Sequence, residues 1–141
     1  MATNHPKAGP NSVPAYQLSG IPFTTGSAPG EVPATNGTPI KIEFPYVTRF
    51  IQVQASGSQG VRVGFSSNGV RSNPTSNYFV VDGGTTSNVL ELRTKEIFIL
   101  SNSTAKSEFR LTAGLTTIKS TEFPTLTGSL SDGALGFEGV G

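Results

Sequence analysis

The sequence predicts an all-β protein, a single antiparallel β-sandwich of jelly-roll or immunoglobulin-like type with extended N- and C-terminal arms. Three observations carry that prediction. Between residues 38 and 118 apolar side chains recur at every second position in short runs, the period of a strand with one buried face. The runs are separated by clusters of Gly, Ser, Asn and Asp, which supply turn chemistry at intervals typical of a sandwich or barrel. No stretch repeats with a helical period, so the crossovers that a parallel α/β sheet requires are missing.

Residues 1–37 read as an arm. Prolines at positions 6, 10, 14, 22, 29 and 33 remove amide donors, and the glycines between them raise the entropy cost of ordering. Such a stretch spans about 120 Å when extended, at about 3.3 Å per residue. It carries spaced apolar residues, Val13, Tyr16, Leu18, Ile21, Phe23 and Val32, which a solvated linker does not need. Those residues fit a segment that docks on another surface with side chains in pockets and amides added to a sheet edge. The alternative is an arm folded back over its own sandwich.

The core, residues 38–118, reads as seven strands. "PIKIEF" alternates Ile40, Ile42 and Phe44 against Lys41 and Glu43. "VTRFIQVQ" sets Val47, Ile51 and Val53 against Thr48, Gln52 and Gln54, with Arg49 and Phe50 out of phase. "VRVGF", "NYFVVD", "NVLELR", "EIFIL" and "EFRLTAGLTTI" follow, with turns at residues 56–60, 66–77, 83–87 and 101–106. The glycines of "GVRVGFSSNGV" do not make a phosphate-binding loop, because no helix and no Lys-Ser or Lys-Thr follows them. Val61, Val63 and Phe65 alternate instead with Arg62 and Gly64 as in a half-buried strand, and Asn68-Gly69 suits a tight turn. Residues 119–141 return to Gly, Ser and Thr and form a second arm, with Phe123, Leu126, Leu130, Leu135, Phe137 and Val140 spaced along it.

At 141 residues the chain is one domain by length, and only 13% of it is charged. Its net charge of +1 and scattered Lys and Arg imply no nucleic-acid partner. The absence of cysteine excludes disulfides and thiolate chemistry and favours a reducing cytosol as the place of synthesis. The first residues lack the apolar run of a secretion signal, and no segment approaches the roughly 20 apolar residues of a membrane span. No membrane partner is expected.

Enzymatic chemistry is not expected either. His5, the single histidine, sits in the proline-rich arm, where nothing fixes it near a nucleophile. The acids of the core, Glu43, Asp82, Glu91, Glu96 and Glu108, mostly alternate with apolar residues. That places them on outward faces as cross-strand partners for Lys41, Arg93, Lys95 and Arg110, not as a pair fixed across a cleft. The acids outside the core, Glu31, Glu122, Asp132 and Glu138, sit in the arms. Asp82, Thr85 and Asn88 offer too few carboxylates for calcium, so no metal and no cofactor is implied. The sequons at Asn36 and Asn102 carry no weight in a chain so rich in Ser and Thr. Sugar binding is the rival reading, although the chain lacks Trp and its tyrosines are Tyr16, Tyr46 and Tyr78, with only Tyr78 at a loop margin of the core.

The run "PYVTRFIQVQASGSQGVRVGFSSNGV", followed by "NYFVVDGG" and "LELRTKEIFIL", resembles the core of small β-sandwich decoration (cement) or minor capsid proteins of virus and bacteriophage particles. The resemblance covers about residues 45–100. It implies a structural virion protein, assembled in the host cytoplasm, that binds the major capsid protein or other shell subunits and cements neighbouring subunits through its arms. It also implies a homo-oligomer, often a trimer. Arm contacts would act by multivalency, each tethered contact making the next one intramolecular. The expected contact residues, chosen as apolar side chains with little burial of their own, are Tyr16, Leu18, Ile21 and Phe23 in the first arm and Phe123, Leu126, Leu135 and Phe137 in the last. The alternatives are a carbohydrate-binding, lectin-like module or a tail or fibre component of a phage particle.

Overall fold

A computed structural model describes residues 20–27, 30–67, 69–71 and 77–123. Among these residues are seven strands, β1 (Ile21–Gly26), β2 (Ile40–Glu43), β3 (Tyr46–Ala55), β4 (Val61–Gly64), β5 (Tyr78–Val81), β6 (Glu96–Ser101) and β7 (Phe109–Lys119), with a 3-10 turn at Ser120–Glu122. They form two antiparallel sheets, ordered β1-β7-β3 and β2-β6-β4-β5. The fold is all-β, and its two sheets are compatible with a sandwich.

One core fills the space between them. β7 contributes Phe109, Leu111, Ala113 and Leu115, β3 contributes Ile51, Val53 and Ala55, and β4 and β6 contribute Val61, Val63, Ile97 and Ile99. The alternation read from the sequence reaches the core as expected, because a period of two puts every second residue on the same face.

Residues 20–27 and 30–37 differ from the arm that the prolines suggest. β1 pairs with β7 from Ile21 opposite Leu115 to Gly26 opposite Arg110, and Ile21 and Phe23 pack against the core. The Ser27 amide donates to the Phe109 carbonyl, so odd-numbered residues of β1 face their bonds to β7 and Pro22 turns its missing donor to the open edge. Proline is tolerated at that position and blunts the edge against further pairing. Val32 is fully buried and exchanges backbone hydrogen bonds with Ser107, while Pro33 and Thr35 bond Ser101 and Ser103. Edge placement reconciles the prolines with order.

The run "NVLELR" is likewise not a regular strand. Residues 84–94 lie along the free edge of β3, where Gly84 and Thr85 bond Ala55, Ser87 bonds Val53, Leu90 bonds Ile51 and Thr94 bonds Thr48. The register holds from Thr85 to Ser87, then slips by one residue before Leu90 and again before Thr94, so a period of two cannot hold through the run. The Thr48 hydroxyl compensates by donating to the Leu92 carbonyl at 2.7 Å and accepting from the Thr94 amide at 3.0 Å.

Arg49 and Phe50, out of phase in the sequence, mark a bulge in β3, where the register shifts between Thr48 and Phe50. The bulge takes Arg49 off the core side, and its guanidinium bonds Glu91 at 2.6 Å on the edge segment. On the facing strand the buried Thr116 hydroxyl donates to the Val47 carbonyl at 2.7 Å and accepts from the Ile118 amide at 3.2 Å, replacing the ladder bonds lost there.

β4 is buried on both faces, not one. Val70 packs with Phe98 and Leu100 in a second cluster on the outer face of the β2-β6-β4-β5 sheet, with Tyr78 against it. A Cβ on Gly64 would lie 3.1 Å from the Val70 Cα, so glycine permits this close approach. Arg62 is 8% exposed, stacks 4.4 Å from the Tyr78 ring centroid and donates through Nε to Asn102 Oδ1 at 3.0 Å. Asn68 lies outside the described residues. A tight turn lies at Gly83-Gly84, where Gly84 has φ of 74°.

Candidate functional site

Several chain segments converge at one end of the fold. Gly20 bonds the Leu115 carbonyl, Phe44 bonds the Lys95 carbonyl and Ser120 bonds the Pro45 carbonyl. Beside the Phe44–Lys95 and Ser120–Pro45 bonds opens a cleft of about 530 Å³ lined by Lys41, Glu43, Phe44, Pro45, Lys95, Glu96, Ser120 and Thr121.

Its polar wall follows from strand geometry. Lys41 and Glu43 are two apart on β2 and share its outer face, and Glu96 on β6 stands directly opposite Glu43. The Lys41 ammonium reaches both carboxylates, at 2.9 Å from Glu43 Oε1 and 3.1 Å from Glu96 Oε2. Glu96 is 9% exposed, whereas the Glu43 side chain is 71% exposed. The Lys95 ammonium donates to the Phe123 carbonyl at 3.3 Å. Behind this wall Phe44 is buried and meets Phe23 edge to face, with ring centroids 5.1 Å apart.

The hydrogen bond from Lys41 holds the Glu43 carboxyl below its usual range, and the bonds to Glu43 and Glu96 raise the Lys41 ammonium above its own. Near neutrality Glu43 is therefore an acceptor and not a proton donor, the opposite of what a general acid requires. Among the described residues no three His, Cys, Asp or Glu side chains gather closely enough to hold a metal ion. No helix among them is long and apolar enough to cross a membrane.

The contact residues expected from the sequence fall in different places. Ile21 and Phe23 are half-buried against their own core, because β1 turns its odd-numbered side chains inward. Phe123 is half-buried at the rim of the cleft. Tyr16, Leu18, Leu126, Leu135 and Phe137 lie outside the described residues. The cleft itself was not foreseen. Lys41 makes the cross-strand pair that the sequence suggests, but Glu96 is buried and not outward-facing, and Glu91 pairs with Arg49, which is not among the basic partners Lys41, Arg93, Lys95 and Arg110 read from the sequence. A single acid heading the apolar run "EIFIL" was the available signal.

No protein-family model, curated protein or solved structure matches this chain.

Proposed function

We propose that the chain is a structural virion protein with a jelly-roll core, which binds shell subunits and cements them through the segments that flank the core. The jelly-roll reading is supported by the pairing. Counting the edge segment at residues 84–94 as a sixth strand, the eight pair first with last (β1 with β7), second with seventh (β2 with β6), third with sixth (β3 with the segment) and fourth with fifth (β4 with β5). A long antiparallel ribbon wound into two sheets gives that order, and such double Greek keys are common in capsid and lectin domains.

The observation that carries the assembly reading is where the flanking segments attach. Gly20 bonds Leu115 in the C-terminal half of β7, whose last residue is Lys119, and Phe123 follows that strand. Residues 1–19 and 124–141, both studded with apolar residues, are thus tethered at the same end of the core, where their contacts on a partner act as one multivalent anchor. The experiment compares the full chain with versions lacking residues 1–19 or 124–141 in gradient-purified particles from the producing cells. Both truncations should unfold at the temperature of the full chain and yet be lost from the particle fraction. A full chain that never sediments with particles would sink the proposal.

A further inference from the structure

The cleft at the anchoring end contains two cations and two anions whose charges cancel inside the protein. Lys41 bridges Glu43 and Glu96, and Lys95 adds its positive charge close enough to Glu43 to favour the ionised carboxyl. These four side chains sum to no net charge, so an ionic ligand gains no net attraction from them and would have to displace these pairs. Hydrogen-bonding capacity is nevertheless left over. Glu96 Oε2 is engaged by Lys41, while Oε1 accepts no hydrogen bond among the described residues although the side chain is nearly buried. Glu43 is bonded through Oε1 alone, and the Ser120 and Thr121 hydroxyls have no partners among the described residues. Phe44 and Pro45 supply an apolar wall beside these groups.

Fixed acceptors, rotatable hydroxyls and C–H surface in a neutral cleft complement a ligand that is uncharged, carries several O–H donors and has an apolar face. We propose that the cleft binds a neutral saccharide unit. Its ring hydroxyls donate to Glu96 Oε1 and Glu43, the Ser120 and Thr121 hydroxyls exchange bonds with further ring oxygens, and a C–H face lies on Pro45. The volume of about 530 Å³ suits one or two sugar rings. This inference is independent of the assembly reading, since it needs neither flanking segment.

The test is an amide NMR titration of the full chain with glucose, galactose, mannose and N-acetylglucosamine, with sorbitol as an open-chain control. At least one cyclic sugar should give saturable shifts at Lys41, Phe44, Lys95, Ser120 and Thr121, with a dissociation constant on the order of 1 mM. Glu96→Gln should weaken it about tenfold or more, because a charged acceptor bonds a hydroxyl more strongly than a neutral one. Thr121→Ala, at an exposed position, should weaken binding without altering the thermal midpoint. Absence of saturation by any sugar, saturation outside the cleft, or an equal response to sorbitol would each overturn the proposal.

Discussion

Replacing Phe23 by alanine separates a strand that belongs to the core from an arm that merely follows it. Phe23 is half-buried, and its ring meets the buried Phe44 ring at 5.1 Å with an interplanar angle of 74°. Truncating a fully buried Phe costs about 3–5 kcal/mol, and half-burial brings the transfer and cavity part to about 2 kcal/mol. The lost edge-to-face contact adds about 0.5–1.5 kcal/mol. Phe23→Ala should therefore destabilise the fold by about 2.5–3.5 kcal/mol, read in urea as a midpoint lower by about 1–3 M with the slope unchanged. In a double-mutant cycle with Phe44→Leu, a positive coupling energy of about 0.5–1 kcal/mol should appear. A loss below about 0.5 kcal/mol, the size of an ordinary surface substitution, would refute the reasoning and return residues 21–26 to the arm.

Other perturbations probe the remaining devices. Thr116→Val keeps the shape but leaves the Val47 carbonyl and the Ile118 amide buried without their partner, so thermal unfolding should report a loss of about 2 kcal/mol. A Cβ at Gly83 would overlap the Ser58 carbonyl oxygen, and Gly83→Ala should cost about 1–3 kcal/mol by the same assay. Stability should also follow pH. The folded Glu43 carboxyl lies below its ordinary value of 4.5, so its contribution is present above that value and lost as pH falls through the lower folded one. The folded Lys41 ammonium lies above 10.5, so its contribution is complete below that value and lost as pH rises through the folded one. Both limbs should flatten in Lys41→Met, and unchanged limbs in a pH series of urea midpoints would show that the pairs contribute nothing.

The alternation of apolar residues in "PIKIEF" and "EFRLTAGLTTI" determined those strands and their buried faces, because side-chain direction in a strand is a local property of the backbone. Even the phase error at Arg49 and Phe50 was legible, and it became a bulge. Strand partners, by contrast, were decided between residues far apart in the chain. β1 is ordered only because β7 bonds it across the sequence, so prolines that forbid a central strand proved compatible with an edge. "NVLELR" alternates well enough for a strand, but the slipping register against β3 overrides it. The cleft followed the same rule. Lys41 and Glu43 are near neighbours, yet Glu96 joins them only through the β2-β6 pairing, and Ser120 and Thr121 arrive only because β7 ends beside the turn at Pro45. Local chemistry fixes which way each side chain points, while pairing over long sequence separations fixes what it meets, and that second choice is written in no single segment of the chain.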